Sequence, residues 1–347
     1  MASILYLGTE NGVVSLKSDD GRSWKIEDHT LEEWSIPKIA VSPSSPNKVF
    51  AGTRGDGVWV SEDFGKKWKK PCYGKPGPGK VRCVTLDPKD PRLLYAGGEP
   101  IDLYLSDNQG KSWTRVESVR KLPWVESVDY PVPTVEPHLR DIAVDPKDPK
   151  KIYAALQVGY ILKSTDGGGT WKVLNKDLDC DVHTIVINPQ NTDILYIATG
   201  GHDCRLGRTK GRALYMSNDG GENWTPMATE FSQEYSVPLT MHPKDPNVLF
   251  STLAHGQPSQ WRRPTGAESV VVRSKDGGKS WQKLNGQLSE TSKQFAEAIA
   301  IDEANPNRLY AAMRTGELYG SQDGGDSWNK LDVKSPAGVS DMKCVSA

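Results

Sequence analysis

Ser164-Thr165-Asp166-Gly167-Gly168-Gly169-Thr170-Trp171 is the clearest copy of a pattern, Ser-x-Asp-x-Gly-x-Thr-Trp, that runs through the whole chain. Its copies end at Trp24, Trp68, Trp113, Trp171, Trp224, Trp281 and Trp328, 44 to 58 residues apart. Repeats of that length with four short strands each are propeller blades. An aspartate placed early in a turn accepts backbone N–H groups of its own hairpin, and glycine supplies the positive φ. The tryptophan is a large apolar anchor for the neighbouring unit. The motif therefore reads as structural at Asp19, Asp63, Asn108, Asp166, Asp219, Asp276 and Asp323. Lys17 takes the serine position of the first copy and Asn108 replaces aspartate in the third.

Around each motif the same grammar returns. Ile39 to Pro43, Val49 to Thr53 and Val58 to Ser61 read as three strands, and the motif at Ser61 turns into a fourth. The first repeat has no first strand, and Lys343-Cys344-Val345-Ser346 resembles Arg82-Cys83-Val84-Thr85, where a first strand begins. The expectation is an all-β, seven-bladed β-propeller of four-stranded antiparallel blades. Residues 1–347 form one domain, with blade 1 built from about 1–28 plus 339–347. Closure of this kind removes a free sheet edge.

Composition narrows the function classes. The 43 basic and 44 acidic residues nearly cancel, which leaves no electrostatic footprint for nucleic acid. No apolar run has the length of a membrane span, so no membrane partner is expected. Met1 leads straight into repeat sequence, so no secretory leader is expected. The five cysteines read as reduced thiols in a cytoplasmic protein.

The motif is the Asp box of the BNR repeat, and the chain resembles bacterial BNR/Asp-box propellers over essentially its full length. That architecture includes sialidases, xyloglucanases, the sortilin ectodomain and the photosystem II assembly-factor propeller. The resemblance carries no catalytic role onto the boxes. Xyloglucanases pair two seven-bladed domains across a catalytic cleft, and this chain supplies one.

Strand direction puts the boxes and the Asp-Pro turns on one face and the variable loops on the other, where function usually lives. Three loops are long: Thr114 to about Arg140, Gly200 to Arg212, and Ala254 to about Ser269. Inner strands begin near Pro37, Arg82, Arg140, His183, Val237 and Glu297, with Lys343 in the closing strand, so these residues ring the channel mouth. The favoured reading is an enzyme, a glycosidase-like hydrolase or a lyase. It binds a small anionic or polyhydroxylated molecule rather than a protein. His183, His255 and Glu297 would carry acid–base chemistry. Arg82, Arg140, Arg314, His138, Tyr235 and Trp261 would bind substrate. A divalent metal, Zn or Fe, at the top of the channel would be held by His183, His202 and His255. The alternative is a non-catalytic scaffold or assembly factor holding a protein or peptide on the long loops.

Overall fold

Each repeat's second strand carries an unbroken buried run of mostly apolar residues, and Leu195–Thr199, Leu249–Leu253 and Leu309–Met313 are buried throughout. A strand with that pattern must be covered on both faces. A computed structural model, which describes residues 2–130, 135–288 and 293–346, shows how. Seven antiparallel sheets form the blades of a propeller, and each second strand lies between two neighbouring blades. Six sheets have four strands; in the second blade Lys38–Ser42, Ser45–Thr53 and Gly57–Ser61 are joined by a bridge from Val60 to Lys69 in place of a full fourth strand. Strand Val339–Ser346 pairs with Ser3–Thr9 and closes the ring.

The box works through a fixed set of hydrogen bonds. In the fourth blade Ser164 Oγ donates to Asp166 Oδ1 (2.8 Å), and Gly168 N donates to Ser164 Oγ (2.8 Å). Thr170 N and Oγ1 donate to the two oxygens of the same carboxylate (2.9 and 2.7 Å). Asn108 reproduces the first half with its carbonyl oxygen, which accepts from Ser106 Oγ and Ser112 N. The first box differs from expectation. Ser18, not Lys17, fills the serine position, and Asp20, not Asp19, accepts from Ser18 Oγ, Arg22 N and Ser23 N. The pairing of Ser3 with Ser18 fixes this register, and the turn to Trp24 is one residue shorter than in the other boxes. Box and Asp-Pro turn share a face: Gly167 N donates to Lys150 O, and Gly277 N to Asn247 O.

Each box tryptophan then packs into the preceding blade. Trp24 meets Tyr310 edge-on, with ring centroids 5.0 Å apart. Trp224 shares a cluster with Tyr153, Trp281 with Tyr196 and Trp328 with Phe250. Where the partner is tyrosine its hydroxyl often donates to the same turn, as Tyr196 Oη does to Gly277 O (3.2 Å).

Hydrogen bonds to their charged form hold the carboxyls of Asp166, Asp219 and Asp276 down to about 2. A folded-state pKa below the unfolded value gives stability that is present above the unfolded pKa and lost as pH falls through the folded one. Asp166→Asn keeps the oxygen that Asn108 already uses and removes the titration. Melting curves should show a smaller loss at neutral pH than for Asp166→Ala. The gap between wild type and Asp166→Asn should narrow as pH falls from the usual 3.8 toward about 2. Parallel pH profiles would overturn this account.

Candidate functional site

The channel mouth is built by β-bulges. In four inner strands the pairing slips by one residue, between Val81 and Cys83, Leu139 and Asp141, Val182 and Thr184, and Ala296 and Ala298. The residues left out of the ladder are Arg82, Arg140, His183 and Glu297. The closing strand slips between Val339 and Asp341, which leaves out Ser340. A bulge re-aims its side chain away from the sheet. All five line a funnel of about 610 Å³, open to solvent, together with Pro37, Lys38, Val237, Asp341 and Lys343.

The closing-strand register thus differs from the one read in the sequence. Ser340, three residues before Lys343, is the equivalent of Arg140. Paired carboxylates mark the true alignment: Asp141 accepts from Ile185 N (3.0 Å) and Asp341 from Ile39 N (2.9 Å), each reaching a neighbouring inner strand. The likeness of Lys343-Cys344-Val345-Ser346 to Arg82-Cys83-Val84-Thr85 did not carry this pairing information. Lys343 still lines the funnel, deeper along its strand.

The loops after the second strands pair with this inner ring. Glu99 approaches Arg82 Nε (3.1 Å) and Arg54 (3.4 Å). Arg314 Nη1 donates to Glu297 Oε2 (3.1 Å). Gln157 lies between His138 and His183. Gly200 sits against Asp181 and His183, where a Cβ would clash. Lys38 lies 3.4 Å from Asp141. Burial works against its charge, but Asp141 and Asp341 outweigh burial and hold the ammonium above its usual range.

Arg82 is the strained member. Burial, then the charges of Arg140 and Arg54, pull its pKa down to about 9, and Glu99 opposes them. The Arg82–Glu99 approach is close but misaligned, and neither Arg82 Nε nor Glu99 Oε2 has a hydrogen-bond partner. Arg82 Nη2 donates to His138 Nε2 (2.7 Å), and His138 Nδ1 donates to Glu136 O (2.9 Å). The Arg140 guanidinium makes no hydrogen bond or ion pair among the described residues. The funnel wall carries Lys38, Arg82, Arg140 and Lys343 against Glu297 and Asp341, a positive excess.

The residues expected to share a site separate. His183 and Glu297 line the funnel with Arg82 and Arg140. His183 is buried, with Nδ1 2.7 Å from Ser236 O and Nε2 3.3 Å from Gln157 Nε2, while Asp181 Oδ1 stands 3.2 Å from Nε2, so neither nitrogen is free. His138 is buried behind the wall as a positioning partner of Arg82. Tyr235 is buried in an aromatic stack with His183, Trp261 and Phe295 rather than offered to a ligand. His255 lies outside the funnel lining, held by Glu234 (3.2 Å) and Ser232 (3.1 Å). His183, His202 and His255 do not form a ligand set, because the first and last are spent on those neighbours. Among the described residues the close group of ligating side chains is Cys180, His202 and Asp203. Residues 131–134 of the Thr114 to Arg140 loop lie outside the described residues. The described helices contain none long and apolar enough to cross a membrane.

A family model described as Sortilin-Vps10 (sortilin, neurotensin receptor 3) matches residues 12–154 and 159–263, well over half of the chain. The chain belongs to the Sortilin-Vps10 family. Among curated proteins it is 28% identical over 160 residues to the xyloglucanase Xgh74A of Acetivibrio thermocellus, covering 43% of this chain and 17% of that protein. A xyloglucanase of Paenibacillus sp. is 26% identical over 160 residues, with 42% and 14% covered. The chain thus spans less than a fifth of these relatives' length. Among solved structures, the GH74 xyloglucanase from Xanthomonas campestris superposes with a TM-score of 0.63 at 17% identity, over 85% of this chain and 45% of that one. YCF48 bound to D1 peptide gives 0.58 at 14% identity, over 91% and 86%. YCF48 from Cyanidioschyzon merolae gives 0.58 at 16% identity, over 88% of each. At these identities the structural likeness establishes the shared fold.

Burial, followed by the Arg82 charge, drives the His138 pKa down from 6.5 to about 3. The folded chain keeps this imidazole neutral while the unfolded chain protonates it, so its share of stability is lost as pH falls from 6.5 toward about 3. Melting temperatures of His138→Gln should depend less on pH over that interval than those of wild type. Equal slopes would show that His138 does not titrate in this way.

Proposed function

We propose that this propeller is a binding scaffold whose funnel receives an anionic group, the carboxylate of an acidic peptide, without transforming it. The carrying observation is Arg140, a guanidinium on the funnel wall with no hydrogen bond or ion pair of its own, set beside an Arg82 whose Nε is also unsatisfied. A buried or half-buried cation left open in this way is a carboxylate site, since guanidinium forks match that group. The YCF48 likeness supports the reading, because it covers most of both chains and one of those structures is bound to a peptide.

Glycoside hydrolysis is the second reading, favoured by the xyloglucanase relatives. It requires two carboxyl groups flanking a sugar. The funnel's two are engaged, Glu297 by Arg314 and Asp341 by Ile39 N and Lys343. Acid–base work by His183 has the same difficulty, since both its nitrogens are occupied.

Calorimetric titration with an acidic peptide and with a neutral xyloglucan oligosaccharide separates the two. The peptide should bind with an affinity that falls as salt rises. Arg140→Ala should weaken it about tenfold or more, the scale of one charge-assisted hydrogen bond. Binding or cleavage of the oligosaccharide, or peptide affinity indifferent to Arg140→Ala, would overturn the proposal.

A further inference from the structure

Away from the funnel, we infer a divalent transition-metal site of the Zn²⁺ class formed by Cys180, His202 and Asp203. Their ligating atoms all lie within 4.8 Å of one another. Side-chain rotation can gather such a set to the roughly 2.0–2.3 Å bonds of zinc.

The backbone around the three is already pinned. Asp179 is fully buried and accepts from Asp181 N (3.0 Å), His202 N (3.1 Å) and Cys204 N (3.0 Å). These bonds fasten the short helix His202–Arg205 to the segment leading into the strand Val182–Ile187. Asp203 Oδ2 accepts from Cys180 N (3.1 Å) and Tyr160 Oη (3.2 Å), which fixes a carboxylate beside the thiol. Gly201, at φ 65°, packs against Glu234 O and lets the chain turn into the helix. The His202 ring makes no hydrogen bond among the described residues.

Charge points the same way. Asp179, Asp181 and Asp203 are all buried within this small volume. Their fixed cationic neighbours are Arg205, whose charge acts on Asp181, and an exposed Arg208, 3.5 Å from Asp203. Asp179 has no ion-pair partner among the described residues. Burial raises the Asp179 pKa to about 6, so protonation relieves that carboxyl, while Asp203 beside the Cys180 thiol is placed to coordinate. A thiol, an imidazole and a carboxylate suit zinc or cobalt, whereas calcium and magnesium take oxygen ligands alone. Binding would release the Cys180 proton to solvent and leave a thiolate on the ion. Access is available, because Asp203, Arg208 and Tyr160 line an open groove of about 1160 Å³.

The test uses the full chain, stripped with a chelator and titrated with Co²⁺ alone. One equivalent should produce a near-ultraviolet thiolate-to-cobalt charge-transfer band. Cys180→Ser should abolish the band, His202→Ala should weaken Co²⁺ binding at least tenfold, and Cys83→Ser should leave both unchanged. Should Cys180→Ser fail to fold by circular dichroism, His202→Ala, at a partly exposed position, decides alone. A wild-type chain with no band at saturating Co²⁺, a band that survives Cys180→Ser, or undiminished affinity in His202→Ala would each overturn the assignment.

Discussion

No blade of this protein has a whole core of its own. The box tryptophan of each following blade fills the gap: Trp68 beside Tyr6, Trp113 beside Phe50, Trp171 beside Tyr95, and so on to Trp24 beside Tyr310. A buried large aromatic contributes on the order of 2–3 kcal/mol from area alone. That gain exists only when the neighbour is present, so stability is a property of interfaces. The last interface, between the seventh blade and the first, needs strand Val339–Ser346 beside Ser3–Thr9, since Leu5, Leu7 and Met342 all contribute to it.

The funnel inherits its rigidity from this arrangement. Side chains that leave the ladder at a bulge are carried by inner strands paired to second strands whose cores are fully buried. Lys38, Asp141 and Asp341 join four inner strands by charge and by hydrogen bonds to Ile185 N and Ile39 N. Around Arg82 the balance is incomplete, with like charges at Arg140 and Arg54 and one misaligned carboxylate at Glu99. Electrostatic tension is thereby concentrated at one side of the mouth, on a frame too stiff to relax it.

Much of the fold was legible because tryptophan and glycine at fixed offsets leave little freedom. Where a box lost one residue, as between Ser18 and Trp24, alignment by the tryptophan misplaced the aspartate, and only strand pairing restores Asp20. The funnel residues Arg82, Arg140, His183 and Glu297 were readable from their offset to the first apolar residue of each strand. Their partners were not. Nothing local to His183 announces Asp181 on one nitrogen and Ser236 on the other, and nothing local to Cys180 announces a histidine more than twenty positions on. Long-range pairing of side chains depends on the loops' own packing, which carries no period. Membership of one face of the ring does not make His183 and His255 neighbours: the first lines the funnel and the second is held by Glu234 and Ser232.

The bulges have one more consequence. A residue that stands outside the hydrogen-bonded ladder can change identity with little cost to the sheet that carries it. At equivalent bulges this chain holds arginine twice, histidine, glutamate and serine. The mouth is therefore a small keypad set on a repeated frame, and its keys can be changed without touching the ring.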